Sequence, residues 1–226
     1  MFIQAYKEAL AVIAKKPIML WGLSLLSGVM IVLASIFTAP IFILGIVFSI
    51  LITCGMAKVY IDGLAGKQVN SDQLFAAFNK NCIRIVGGMA WQALWIIIWA
   101  LVPIVGPVLA VIKAYSYRFV PYILMTKPEV TATQALRLSM EMTKGKKMQM
   151  FLADLCFGGG IFVVFFVLGL LCAIPVVGIL FMLIAIVASI AVALFSSIFQ
   201  GLYQTYFYMQ AAATETQSQP ACAETV

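Results

Sequence analysis

The sequence predicts an all-α fold of the polytopic membrane class. Six spanning helices form three hairpins, each preceded by a short cytosolic amphipathic helix. Three observations lead there. Of the 226 residues, 64% are hydrophobic and 10% are charged, whereas a soluble domain is about half apolar and about a quarter charged. A water-facing surface needs more charge than this, and the mean hydropathy of +1.10 agrees. The apolar runs reach the roughly 20 residues needed to cross a bilayer. Finally, all 14 Lys and Arg residues fall in the N-terminal segment and two further regions, leaving the other connectors uncharged.

The first apolar stretch, 18–61, is too long for one helix and is interrupted by Thr38-Ala39-Pro40. It reads as helices over 18–37 and 41–61, with Pro40 at the start of the second, where its missing N–H does no harm. A signal peptide is the alternative. The junction Ile-Phe-Thr-Ala-Pro40 lacks a small-x-small pattern and passes directly into a second apolar segment, so an uncleaved start is expected. Residues 84–103 predict a third helix containing Trp91, Trp95 and Trp99. After the connector Pro103-Ile-Val-Gly-Pro107, a fourth runs to Tyr122, and residues 148–173 predict a fifth. Ile174-Pro175-Val-Val-Gly178 leads into a sixth, apolar to Phe199 and continuing to Tyr208. Its Tyr-rich end suits the headgroup level, as does the cluster Tyr115, Tyr117, Arg118 and Tyr122, read as an interfacial belt. Residues 1–210 thus form a single transmembrane domain. The polar segment 211–226 is expected to be a disordered cytosolic tail.

Basic residues stay on the cytosolic side of spanning helices. The three basic regions, including Lys15 and Lys16, Lys67 with Arg84, and Lys127 with Lys144, therefore place both termini in the cytosol. Before each helix pair lies a stretch with apolar residues at helical spacing. These are 2–14 (Ile3, Tyr6, Leu10, Ile13), 71–82 (Leu74, Phe75, Phe78) and 131–143 (Leu136, Met140). Thr131 and Gln134 have capping-box spacing. A unit repeated over 1–67, 68–130 and 131–210 explains this pattern; ordinary amphipathic loops between hairpins are the plainer alternative.

The returning helices carry small residues spaced by four: Gly45, Ser49, Thr53 and Ala57; Gly106, Ala110 and Ala114; Ala185, Ser189, Ala193, Ser197 and Gly201. Such stripes allow close helix packing in lipid, though small residues are common in membrane helices generally.

The chain has no His and five Cys, with no C-x-x-C spacing, so neither a His-based nucleophile nor a zinc site is indicated. Gly158-Gly-Gly160 lies in an apolar helix and lacks the lysine of a phosphate loop. The acids are scattered. No catalytic residue, metal or cofactor is expected, and the chain reads as non-enzymatic. Lys113 and Asp154 are the two ionisable residues expected at membrane depth, either as a polar site for an ion, proton or headgroup or as a pair that fixes packing. Lys113 has a further alternative, snorkelling to the interface. The net charge of +6 suggests anionic lipid at the cytosolic face, contacted by Lys15, Lys16, Arg118, Lys144, Lys146 and Lys147. Nucleic acid is not expected as a partner.

The stretch from Ile112 to Glu129, with Ala135-Leu-Arg-Leu-Ser139 and Met142-Thr-Lys-Gly-Lys-Lys147, resembles the bacterial membrane family called domain of unknown function 975. Tyr60-Ile-Asp-Gly-Leu-Ala-Gly-Lys67 and Asp72-Gln-Leu-Phe75 are similar to that family's first inner loop. Ala-x-x-x-Ser followed by a basic cluster is also similar to the YciC-like inner-membrane proteins. Where the family usually reads Ser-Phe-Ile-Gly-Trp, this chain has Asp154-Leu-Cys-Phe-Gly-Gly-Gly160. The resemblance implies a bacterial inner-membrane protein and supplies no activity. Three functions are compatible with the sequence: a membrane-organising or partner-binding protein, a small transporter or lipid-handling protein, and an accessory subunit of a separate membrane enzyme.

Overall fold

The computed structural model describes residues 2–15, 17–37, 42–79, 82–103, 105–172, 174 and 178–218. Lys16, Lys80, Cys222, the Thr38-Ala39-Pro40 interruption and the tail beyond Ser218 lie outside the described residues. Ten α-helices and one 3-10 turn carry the described fold, with no strand among the described residues. Six segments are long and apolar enough to cross a membrane: Ile18–Ile36, Ile43–Leu64, Cys82–Ala100, Gly106–Thr126, Lys147–Cys172 and Gly178–Thr214.

The chain opens with α1 (Phe2–Lys15), α2 (Pro17–Phe37) and α3 (Phe42–Leu64). In α1 the small residues Ala5 and Ala9 are fully buried while Ile3 and Leu10 are exposed. The second stretch, expected as one helix over 71–82, is instead α4 (Ser71–Leu74) followed by a 3-10 turn, Ala76–Phe78. Asn70 caps α4 in a capping box with Gln73. Leu74 is fully buried there, whereas Phe75 and Phe78 stay exposed.

The third span is α5 (Cys82–Ala100). The fourth is not continuous: α6 (Gly106–Ser116) and α7 (Val120–Thr126) are separated by a turn at 117–119. Pro121 explains the break, because its ring has no N–H and clashes with the carbonyl four residues back. Then come α8 (Ala132–Met142), α9 (Lys147–Cys172) and α10 (Gly178–Ser218). The Thr131 and Gln134 capping box at the start of α8 is present. The expected unstructured tail is corrected in part: α10 runs to Ser218, and Ala211 is buried. Helical spacing simply continues past Tyr208.

Consecutive spans pack against each other, α2 on α3, α5 on α6 and α9 on α10. Gly106 and Gly178 open the returning helices of the last two pairs. A Cβ at Gly106 would lie 2.5 Å from the Ala100 carbonyl oxygen, and one at Gly178 would lie 2.3 Å from that of Cys172. At both positions a side chain would collide with the end of the outgoing helix. Each glycine donates its N–H to a carbonyl four residues back, Val102 or Ile174, at 2.8 Å.

Within the chain, burial divides the small-residue stripes. On α10, Ser189, Ala193 and Ser197 are exposed and Ala185 is half-buried; on α3 Thr53 is exposed, and on α6 so is Ala114. Only Gly201 makes the predicted close approach on α10, since a Cβ there would enter the Tyr60 ring at 2.1 Å. Ala57 is buried, and Gly45, Ser49 and Ala110 are half-buried.

The core is concentrated at one end of the bundle. Its largest fully buried side chains include Ile52, Phe119, Ile123, Met150, Leu202, Tyr203 and Phe207. Beyond Ala153, no described residue of α9 is buried, and none on α10 between Ile179 and Ser197. Those outer stretches present Phe162, Phe166, Leu170, Ile179, Leu183 and Ile190 outward, as lipid contact allows. At the packed end, α8 is docked through Ala135, Ser139 and Thr143, all fully buried. These residues recur every four positions and so face one way.

Candidate functional site

The break between α6 and α7 positions the ion pair between Arg118, in the turn, and Asp154 of α9. It carries Arg118 away from the face of Lys113 and toward Asp154 on the second turn of α9. Arg118 grips the carboxylate with both terminal nitrogens, Nη1 to Oδ2 and Nη2 to Oδ1, the latter at 3.2 Å. This is the two-pronged geometry that makes Arg–carboxylate pairs strong. Tyr115 donates its hydroxyl to Oδ2 at 2.7 Å, and Tyr203 of α10 donates to Oδ1. Each carboxylate oxygen therefore accepts two bonds, and the charge is matched. The Arg118 guanidinium also lies 5.1 Å from the Tyr115 ring centroid, a cation–π contact.

A third tyrosine completes the enclosure from α1. Tyr6 donates to the Ala153 carbonyl, next to Asp154 in the chain. Its ring lies 5.6 Å from Tyr203 and 5.0 Å from Phe199. Burial, and behind it Cys156 and Asp154, pushes the Tyr6 hydroxyl up to about 12, so it remains a donor at neutral pH. The node ties α1, α6, α9 and α10 to the turn before α7.

Of the alternatives for Lys113 and Asp154, the mutual pair is not the one formed: Asp154 pairs with Arg118. The Lys113 ammonium lies 4.9 Å from the Trp99 ring centroid and 6.0 Å from that of Tyr117, facing α5. Lys113 sits in the last turn of α6, whereas Arg118 lies beyond it in the turn at 117–119, so the two side chains are not held on one helix face. The lipid role expected for Arg118 is also corrected, because its side chain keeps only 19% exposure. The tyrosines read as an interfacial belt belong largely to the core: Tyr117 and Tyr122 are buried, as are Tyr203 and Tyr208. Aromatic residues at 199, 203 and 207 were a usable signal, since spacing by four continues the buried face of α10.

A second polar feature adjoins the node. A cleft of about 290 Å³ lies between α2, α3, the α6–α7 turn and α10. Its polar lining includes Ser27, Thr53, Tyr60, Tyr122, Arg118, Ser197, Gln200 and Gln204. By contrast, the groove between α6 and α9 is apolar along Pro107, Val108, Val111 and Ile112.

The break itself is held by side chains of α8. Ser139 donates to the Ser116 carbonyl at 2.8 Å and accepts the Phe119 N–H at 3.2 Å. Thr143 also reaches the Ser116 carbonyl, at 3.3 Å. On the far side, Arg84 of α5 caps the end of α7, donating to the carbonyls of Leu124 at 2.6 Å and Val130 at 2.8 Å. A cation is favoured where helix carbonyls are left unpaired.

Of the lysines assigned to lipid, Lys15 and Lys144 are exposed, and Lys146 and Lys147 are half-buried. Burial holds the Lys146 ammonium below its ordinary range. The two ion pairs among the described residues are Lys67 with Asp62 at 3.7 Å and Arg118 with Asp154. The described cysteines Cys54, Cys82, Cys156 and Cys172 are free. No described group of His, Cys, Asp and Glu could hold a metal ion. Comparison with protein-family models, curated proteins and solved structures gave no match to this chain.

Proposed function

We propose that the chain is a non-enzymatic, multi-pass protein of a bacterial cytoplasmic membrane that organises membrane or binds a membrane partner through a basic cytosolic face. Both termini are cytosolic in this reading, and three helix hairpins each follow an amphipathic element at the headgroup level. The resemblance to the domain of unknown function 975 family supports the compartment. The observation that carries the reading is the contrast between two sets of charges. Asp154 and Arg118 close on each other and on tyrosines, as a packing lock does. Lys144, Lys146 and Lys147 stand at the α8–α9 junction outside both described ion pairs, available to anionic headgroups.

Each basic residue near an anionic surface contributes about 1 kcal/mol. Reversing Lys144, Lys146 and Lys147 to Glu should therefore strip anionic lipid from the purified protein by about a hundredfold or more in affinity. Native mass spectrometry of lipid-bound states measures this, with helix content by circular dichroism as the control. Unchanged anionic-lipid retention in the folded variant would refute the reading. A second reading, lipid or small-molecule handling, is favoured by the polar cleft beside Arg118. In it, ligand meets the protein at the cleft, away from Lys113.

A further inference from the structure

The lining of the cleft between α2, α3 and α10 has a chemical bias that specifies its ligand. Three of its hydroxyls spend their hydrogens inside the protein. Ser27 donates to the Ser24 carbonyl at 2.8 Å and Thr53 to that of Ser49 at 2.8 Å. Tyr60 donates across to the Ser197 carbonyl at 3.3 Å. A hydroxyl whose hydrogen is committed offers a neighbour only lone pairs. The α2 and α3 wall therefore asks for N–H or O–H donors. On the opposite wall, Arg118 has five N–H donors in all, of which two hold Asp154. The rest suit an anionic oxygen. Gln200 and Gln204 of α10 line the same space and can serve either kind of group.

The charge balance narrows the choice further. Among the described residues lining the cleft Arg118 is the only charged one, and Asp154 already matches it. A ligand with net charge would enter a low-dielectric site without a counter-charge, which is costly at membrane depth. A zwitterion brings both signs and no net charge. The volume lies just below the usual lower end for small-molecule sites, so the bound group is compact.

We propose that this cleft binds a compact zwitterion carrying a primary ammonium and an anionic oxygen, of the phosphoethanolamine type. The ammonium meets the lone pairs of Ser27, Thr53 and Tyr60, and the anionic oxygen meets Arg118. The proposal rests on the second reading above, that the cleft holds a ligand. The group can arrive as the headgroup of a lipid or as a soluble zwitterion.

The full chain, purified in neutral detergent, tests it by native mass spectrometry and thermal shift. The probes are phosphatidylethanolamine, phosphatidylcholine, phosphatidylglycerol and soluble phosphoethanolamine. Phosphatidylcholine has the same charges, but its trimethylated ammonium has no N–H to give. Phosphatidylethanolamine should bind about tenfold or more tightly than phosphatidylcholine, as expected when hydrogen bonds to one group are lost. Ser27→Ala with Thr53→Val should erase most of that preference while phosphatidylglycerol binding is retained, which also reports that the variant is folded. Stabilisation by soluble phosphoethanolamine alone identifies a soluble ligand, and stabilisation by the lipid alone identifies a headgroup. Equal binding of the ethanolamine and choline lipids overturns the proposal, as does a preference untouched by the double substitution. Lys144→Glu, Lys146→Glu and Lys147→Glu together should leave the ethanolamine preference intact. Its loss there would move the site to the basic face and refute the cleft, whereas failure of the basic-face reading alone leaves the preference standing.

Discussion

At the scale of single residues, Asp154 and Arg118 are the pair on which the inner bundle depends. Removing one member of a buried ion pair leaves an uncompensated charge, which costs more than the pair itself contributes. Asp154→Asn should therefore lower stability by about 2–3 kcal/mol. That is below the full range for a wholly buried pair, because the two side chains keep 19% and 24% exposure. Lys113→Ala removes a cation–π contact and should cost about 1 kcal/mol or less. Thermal or denaturant unfolding in detergent compares them, and a larger loss for Lys113 would reinstate it as the partner of Asp154. Replacing Asp154 and Arg118 together by Leu should recover much of the loss, since well-packed apolar residues often substitute for such pairs. That Lys113 and Asp154, each in an apolar run, need partners is legible in the sequence. Which partners they take is not, because Arg118 and Asp154 lie 36 residues apart and hydrophobic spacing says nothing about which helices meet.

At the scale of elements, the most informative departure is the split of the fourth span. Pro121 announces a weak point, yet the exact fate of the broken backbone depends on α8. The Phe119 N–H would be buried and unpaired without the Ser139 hydroxyl. Ser139→Ala should cost about 1–3 kcal/mol, the penalty for an unmet buried polar group. Arg137, exposed on the same helix, is the control position, and Arg137→Ala should change stability by less than about 0.5 kcal/mol. Parallel unfolding curves check both, and equal effects would mean that α8 does not stitch the break. The Ala135-Leu-Arg-Leu-Ser139 motif thereby acquires a physical role: its small residues seat α8 against the turn. That spacing was visible beforehand, while its target was not. The short helix over 71–82 failed for the opposite reason. Its apolar residues fit a helix, but tertiary packing takes Leu74 inward and leaves Phe75 and Phe78 at the surface.

At the scale of the whole molecule, the packed end of the bundle and the basic segments coincide in sequence order, with outer halves of α9 and α10 left to the surrounding apolar phase. The topology proposed above makes a direct prediction. Cysteines placed singly at Gln4 and Lys127, in a variant whose own cysteines are replaced by Ala, should both be labelled by an impermeant maleimide only from the cytosolic side. Labelling of the two from opposite sides would exclude cytosolic placement for one of them. The helical class, the six apolar spans, most of their boundaries and the capping box at Thr131 were determined by the sequence itself. These depend on composition, run length and near-neighbour spacing, which a chain carries locally. The partner of Asp154, the burial of the tyrosines, the cleft and the seat of α8 were decided only by tertiary structure. Each depends on which helix faces come together after a backbone break, and that choice is made by packing among residues far apart in the chain.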